Sequence, residues 1–491
     1  MVDAAHRILD IAEHVLPGPF PLRVRAWDGS EAGPVGAPAL VFRKRRALRR
    51  LLWRPGELGL ARAWVAGDLD VDGDLYTALD TLSGLIWERG EPDPAAGRGE
   101  GVRQAAVALR DPATYRLIRS VLSLAGPGLP PSAPPEEVRR RSGLAHTKRR
   151  DKEAIAHHYD VGNAFYEIVL GPSMVYSCAL WADSGLAAAE AGNEAGDEVS
   201  DQVSADTARR RAAAAATAAS VAGASAEGTD PVGAAGISLE QAQYAKLDLV
   251  CRKLGLQEGQ RLLDVGCGWG SMVLHAARHY GVRATGITLS VEQAAFARKR
   301  IAEAGLADRI EIRVQDYRDV KDGPYDAISS IGMAEHVGSE RYLEYARTLY
   351  ALLKPGGRLL NHQIARRPLR SEEEYRIDEF IDRYVFPDGE LSPVGTTVGR
   401  LEEAGFEVRD VEALREHYGR TLRTWVANLE AHWKEAVAAT SAGRARVWRL
   451  YMAASALSFE RNRIGVNQVM AVRTDPVGRA GLPATRSAWL S

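Results

Sequence analysis

The stretch Leu262-Leu263-Asp264-Val265-Gly266-Cys267-Gly268-Trp269-Gly270 constrains the fold more than any other part of the chain. An apolar run of strand length ends in a turn with three glycines, and helical spacing starts near Ser271. Glycine carries no Cβ, so a turn of this kind lets a nucleotide-like ligand approach the backbone closely. The G-x-G-x-G spacing, with Asp264 ahead of the first glycine, differs from the G-x-G-x-x-G of dinucleotide-binding turns. A helix-periodic stretch over Leu239–Leu254 precedes it. Strand-like runs recur at 283–287, 310–314, 326–330 and 357–361, separated by helical stretches. Alternation at this interval predicts an α/β fold with a doubly wound, mostly parallel sheet. Phe406–Val411 and Val466–Val472 supply two further strand candidates.

At 491 residues the chain exceeds one ordinary core, so more than one domain is expected. Residues 1–90 read as a smaller N-terminal domain, with strands at Leu22–Trp27 and Ala39–Phe42. Gly/Pro-rich stretches flank a helix near 105–123, which makes 91–147 a linker with one helix. Residues 148–475 form the large domain and 476–491 a tail. Inside the large domain, 184–236 is a low-complexity insert of acids, alanines and small polar residues. It has too few large apolar groups to offset ordering entropy, so disorder is expected there.

A net charge of −1 points to no partner in bulk, but its local distribution does. Arg43, Lys44, Arg45, Arg46, Arg49 and Arg50 crowd together, with Leu51, Leu52 and Trp53 among or beside them. The apolar neighbours favour an anionic membrane surface over nucleic acid, at about 1 kcal/mol per basic side chain. Cys178, Cys251 and Cys267 show no metal-ligand spacing, so no metal site is expected, and their odd number fits a reduced compartment. Met1–Leu16 is interrupted by Asp3, His6, Asp10 and Glu13 and does not read as a signal peptide. No uncharged apolar run approaches the ~20 residues that span a bilayer. The expected location is cytoplasmic, peripheral at the inner face of the membrane.

In doubly wound sheets a ligand lies beyond the carboxyl ends of the strands, near the point where strand order reverses. Three segments fall there. Asp264, Gly266, Gly268 and Gly270 form the first. Thr288, Ser290 and Gln293 follow the second strand, where no acid stands ready to grip ribose hydroxyls, so these three are expected to do so. Gln315, Asp316 and Tyr317 follow the third, with Asp316 placed to accept from an adenine amino group. Capping of helix or turn N–H groups is the rival role for Ser290 and Asp316, and three such segments at the right strand ends favour the ligand role. The glycine loop resembles that of Rossmann-like, class I methyltransferases, which hold S-adenosylmethionine.

Rarer strings lie elsewhere: His158-Tyr159-Asp160-x-x-Asn163, Tyr176-Ser177-Cys178-Ala179, Gly332-Met333-x-Glu335-His336-Val337-Gly338, His362-Gln363-Ile364, Phe380-Ile381-x-Arg383-Tyr384-Val385-Phe386-Pro387-Asp388-Gly389, and His417-Tyr418-Gly419-x-Thr421-Leu422. With the glycine loop, these resemble the cyclopropane-fatty-acyl-phospholipid synthase family over residues 148–183 and 237–475, and more loosely over the first ninety. The resemblance implies S-adenosyl-L-methionine as methyl donor and bicarbonate in the active site. It implies an unsaturated acyl chain of a membrane phospholipid as acceptor, and a lipid-binding N-terminal domain. Carried over by motif, the bicarbonate ligands are the side chains of Cys178, Glu335, His362 and Tyr418 and the N–H of Ile364. Tyr176 and Ser177 match residues that touch the cofactor. The chain departs from the family in the insert after Trp181 and in Asn361, where many members carry an apolar residue; Asn361 bears on the product.

The chemistry needs such groups. An alkene is a poor nucleophile, so the methyl must be held in line with it. The carbocation that follows survives only in a dry pocket with aromatic walls, for which Tyr159, Phe165, Tyr166, Trp269, Tyr317, Tyr384 and Phe386 are candidates. A base then removes a proton from the transferred methyl and closes a cyclopropane ring. If a hydride migrates first, the product is instead a 10-methylene chain, precursor of a 10-methyl branch, and a reductase partner is implied. Rival readings are N-methylation of a small amine and a non-catalytic lipid-binding protein. The basic N-terminal stretch argues against the first, and the intact Cys178, Glu335, His362 and Tyr418 against the second. A homodimer is compatible with the sequence.

Overall fold

The computed structural model describes residues 3–15, 18–54, 56–87, 112–126, 128–138, 147–159, 161–181, 237–372 and 375–486. The insert at 184–236 and residues 88–111 lie outside the described residues. The chain divides into two compact units. One comprises Met1–Arg141, Asp378–Pro387 and Ser441–Leu457; the other comprises Ser142–Ile377, Asp388–Thr440 and Ser458–Ser491.

This division is not the linear one of 1–90, 91–147 and 148–475, because two late segments join the first unit. Specific polar contacts hold them there. Glu137 accepts from Arg62 Nε and Nη2 at 2.7 and 2.6 Å and from the Tyr384 hydroxyl at 3.0 Å. Trp64 Nε1 donates to the Arg446 carbonyl at 2.9 Å, and the Arg446 guanidinium lies 4.4 Å from the centre of the Trp64 ring. Within this unit β1 (Arg23–Arg25), β2 (Glu31–Ala32), β3 (Ala39–Phe42) and β4 (Leu69–Asp72) form a sheet in the order β2-β1-β3-β4. Ile8, Leu22, Val24, Leu40, Phe42, Leu48 and Leu69 fill its core.

The basic run is only partly a surface, which corrects the expectation for Arg46 and Arg50. Both converge from the Arg46–Trp53 helix on Asp68, whose side chain is 0% exposed, at 2.8–3.0 Å. Arg50 itself is buried, because the Asp68 carboxylate cannot be left there without a counter-charge. Arg43 bonds Asp70 at 2.6 Å. Lys44, Arg45, Leu52 and Trp53 are exposed.

In the second unit, β5 (Arg261–Val265), β6 (Arg283–Thr288), β7 (Ile310–Val314), β8 (Tyr325–Ile331), β9 (Leu353–Arg366), β10 (Glu407–Ala413) and β11 (Ile464–Val472) form a sheet in the order β10-β11-β9-β8-β5-β6-β7. All pairs are parallel except those made by β11. Strand order reverses at β5, which places a crevice at its carboxyl end. Alternation sends Leu262 and Leu360 to one apolar layer and Leu263 and Leu359 to the other. The Leu239–Leu254 helix starts with a reciprocal cap between Ser238 and Gln241 and stops at Gly255, which takes a φ of 61°. Strand β9 runs past the expected end at residue 361, because its ladder with β11 continues from Arg358 to Arg366. The polar run Asn361-His362-Gln363 hides this extension from an apolar-pattern reading.

Candidate active site

The glycine turn after β5 is pinned by the amides of Gly266 and Cys267, which donate to the Ile287 carbonyl at 3.0 and 2.9 Å. Its glycines do different work. A Cβ on Gly268, where φ is 52°, would meet nothing within 4 Å. One on Gly270 would come within 3.0 Å of the Ala297 Cβ. Gly268 therefore leaves room for a ligand, and Gly270 leaves room for a helix.

A cleft opens beside the turn. Tyr176, Ser177, Asp264, Gly266, Gly268, Thr288, Gln293, Gln315, Asp316 and Tyr317 line it. Gly270 and Ser290 are not among its walls. Ser290 caps the Val291–Glu303 helix by accepting from the Gln293 amide at 3.2 Å. The Thr288 hydroxyl donates to Gln293 Oε1 at 2.8 Å. Asp316 accepts from the backbone and guanidinium of Arg318 at 2.6–2.9 Å, so its carboxylate is held in place before any ligand enters. Asp264 accepts from the Ser329 hydroxyl at 2.7 Å, and burial pushes its carboxyl up to about 6.

Among the cleft residues that the sequence pattern does not single out, Lys246 stands apart. Lys246 is 1% exposed and donates to the Ser177 hydroxyl at 2.8 Å. Burial pulls its ammonium down to about 8. Its signal was a lysine on the buried stripe Leu239-Ala242-Lys246-Val250. Aromatic rings gather nearby: the Trp269 ring lies 4.6 Å from Tyr166 and 5.9 Å from Tyr159, and its Nε1 donates to Asn163 Oδ1 at 2.8 Å.

A second cluster forms where β8 ends. The Gly332 amide donates to the His362 carbonyl at 2.8 Å, and the chain then turns through Ala334–His336. There Glu335 Oε1 accepts from the Ile364 amide at 2.8 Å, continuing with a carboxyl group the ladder that β8 leaves. Ile364 pairs with Val466, whose carbonyl accepts from the Leu414 amide at 2.9 Å. The Leu414 carbonyl accepts from Cys178 Sγ at 3.5 Å and from the Tyr418 amide at 3.2 Å. One path of contacts thus joins Glu335, Ile364, Cys178 and Tyr418, and His362 shares a strand face with Ile364.

Glu335 Oε2 and both ring nitrogens of His362 are buried without a hydrogen-bond partner among the described residues. Burial pushes the Glu335 carboxyl up to about 7, and the Ile364 amide offsets part of that rise. Burial also holds the His362 imidazolium well below its ordinary range, helped by the Lys246 and Lys253 cations. His362 is therefore neutral near pH 7, with one donor and one acceptor nitrogen. Cys178 is a buried thiol pushed up by desolvation, and its Sγ also donates to the Ala179 carbonyl at 3.2 Å. Asn361 faces the other side of β9, where it bonds Tyr342, Tyr345 and Gln363 at 2.7–3.2 Å. It thereby lies on the face of β9 opposite the one that carries His362.

The sheet order, the crevice at β5 and the glycine turn define a class: a Rossmann-like, S-adenosylmethionine-dependent methyltransferase. The family model for mycolic acid cyclopropane synthetase matches residues 146–207 and 233–469, and the chain belongs to that family. It is 41% identical over 471 residues to a probable fatty acid methyltransferase of Mycobacterium tuberculosis, covering 95% of this chain and 94% of that one. It is 31% identical over 313 residues to the cyclopropane-fatty-acyl-phospholipid synthase of Escherichia coli, covering 64% of this chain and 66% of that one. A solved mycolic acid cyclopropane synthase, complexed with S-adenosylhomocysteine and CTAB, matches with a TM-score of 0.51 and 28% identity, over 65% of this chain and 97% of that one.

Proposed function

We propose that the protein transfers a methyl group from S-adenosylmethionine to the double bond of an unsaturated acyl chain in a membrane phospholipid, with bicarbonate as base, giving a cyclopropane ring. The names of the Mycobacterium tuberculosis and Escherichia coli relatives support a fatty-acyl acceptor. The observation that carries the bicarbonate reading is the set of unpartnered buried atoms on Glu335 and His362. Leaving such groups unpaired costs about 1–3 kcal/mol each, so a cluster of them fits a small ligand that completes it. A neutral imidazole, a carboxyl that holds its proton up to about pH 7 and the Tyr418 hydroxyl suit an oxyanion. The Ile364 amide is bonded to Glu335, so its part is to aim that carboxyl.

When bound, S-adenosylmethionine supplies an electrophilic methyl and bicarbonate supplies a base. The chain does the rest. The Tyr159, Tyr166 and Trp269 rings exclude water and offer π faces to a cation on the acyl chain. His362 and Glu335 hold the base in place by donating hydrogen bonds. For access to lipid we infer a peripheral docking surface at Lys44, Arg45, Leu52 and Trp53, where exposed charge adjoins exposed apolar area.

Incubation with methyl-labelled S-adenosylmethionine and vesicles of an unsaturated phospholipid tests the proposal. Label is expected in the fatty acids, dependent on added bicarbonate, with ring protons in the product's NMR spectrum. Label in the headgroup, or none in lipid, refutes it. Exomethylene protons would retain the methyl transfer and replace the ring closure.

A further inference from the structure

The strand face that carries His362 holds another buried polar group. In the antiparallel ladder of β9 and β11, Gln468 is the direct partner of His362. Residues directly opposed in such a ladder project to the same face, with Cβ atoms about 4.5–5.5 Å apart. Gln468 is 0% exposed, and neither its Oε1 nor its Nε2 has a hydrogen-bond partner among the described residues. Both His362 ring nitrogens are in the same state, so the two side chains face one another without bonding. The flanking β9–β11 pairs on this face, Leu360 with Met470 and Ile364 with Val466, are apolar; on its other side Gln468 opposes Glu412 of β10, whose carboxylate pairs with Lys253 at 2.5 Å and makes no bond to the amide. Buried amides are normally satisfied. An unsatisfied one opposite an unsatisfied imidazole points to something small that bonds both.

We propose that Gln468 is a further ligand of the oxyanion and the residue that selects bicarbonate among anions. The inference rests on the bicarbonate reading above. A primary amide presents a donor and an acceptor side by side. Bicarbonate presents a charged oxygen, which takes the N–H, and an O–H, which needs an acceptor. Nitrate offers no O–H and would set an oxygen against Gln468 Oε1. The amide thus converts a general anion site into one for a monoanion that carries a proton, and His362 completes the grip from the opposite strand.

The test compares the full chain with its Gln468→Met variant, which keeps volume and removes both hydrogen-bonding ends. Binding of ¹³C-bicarbonate and of nitrate is followed by NMR at fixed pH, and S-adenosylmethionine affinity by calorimetry. Losing both hydrogen bonds should weaken bicarbonate at least about tenfold, with nitrate and the cofactor each changed less than about twofold. Equal bicarbonate affinity in the two proteins overturns the role of Gln468 alone. So does an equal loss for nitrate. No bicarbonate binding by the unmodified protein overturns the anion reading as well. If the variant fails to fold, a crystal of the unmodified protein with bicarbonate decides. An anion within hydrogen-bond distance of the Gln468 amide supports the assignment, and one held without it refutes it.

Discussion

Glu335 shows how one side chain can be given two tasks by its surroundings. One oxygen is fixed by the Ile364 amide, while the other is buried and unpartnered among the described residues. Because its carboxyl is raised to about 7, the folded state favours the protonated form. The contribution of that form to stability is complete below the unfolded value and is lost as pH rises through about 7. The same ionisation would set a carboxylate against a bound anion, so bicarbonate affinity should fall as pH rises through that point. Glu335→Gln keeps the shape but cannot exchange a proton. It should flatten this pH dependence in a bicarbonate titration and cut kcat about 10²–10³-fold, with cofactor affinity within about twofold. Equal losses in rate and cofactor affinity would make its role structural. The glycines separate in the same way. Gly268→Ala puts a methyl group into open space beside the cleft, and Gly270→Ala drives one into Ala297. Calorimetry should show at least about tenfold weaker cofactor binding in the first, and thermal melts the larger loss of stability in the second.

At the scale of elements, the Arg46–Trp53 helix divides its charges between structure and surface. Asp68→Ala removes the counter-charge of buried Arg50 and should cost about 3–5 kcal/mol in urea unfolding. Neutralising Lys44 and Arg45 should leave the melt unchanged. It should weaken binding to anionic vesicles about 30-fold at low salt, from about 1 kcal/mol per charge. Unchanged vesicle binding would move the docking surface elsewhere. The helix Leu239–Leu254 and the strands were legible because apolar runs and caps are local signals. The ends of β9 were not, since Asn361, His362 and Gln363 are polar in a buried strand and only the β11 ladder shows them as extended. Lys246 and Gln468 escaped for the same reason: pattern reading treats a polar residue on an apolar stripe as noise, and only the folded chain shows what it faces. Ser290 reads as a ribose ligand with capping as the rival role, and the geometry makes it a cap.

For the whole molecule, the first unit gathers segments that lie more than three hundred residues apart in the chain, tied by contacts such as Arg446 with Trp64. No composition shift marks such returns, so linear boundaries could not find them. The second unit brings the cleft and the Glu335–His362 cluster to the carboxyl ends of neighbouring strands. Among the described residues no helix is long and apolar enough to cross a membrane. The proposed function requires methyl transfer to carbon followed by loss of one methyl proton to a bound base. Mass spectrometry of the fatty acids formed with trideuteriomethyl S-adenosylmethionine tests it directly. An acyl chain that keeps two of the three deuterons is expected; a product that keeps all three would contradict the proposed function.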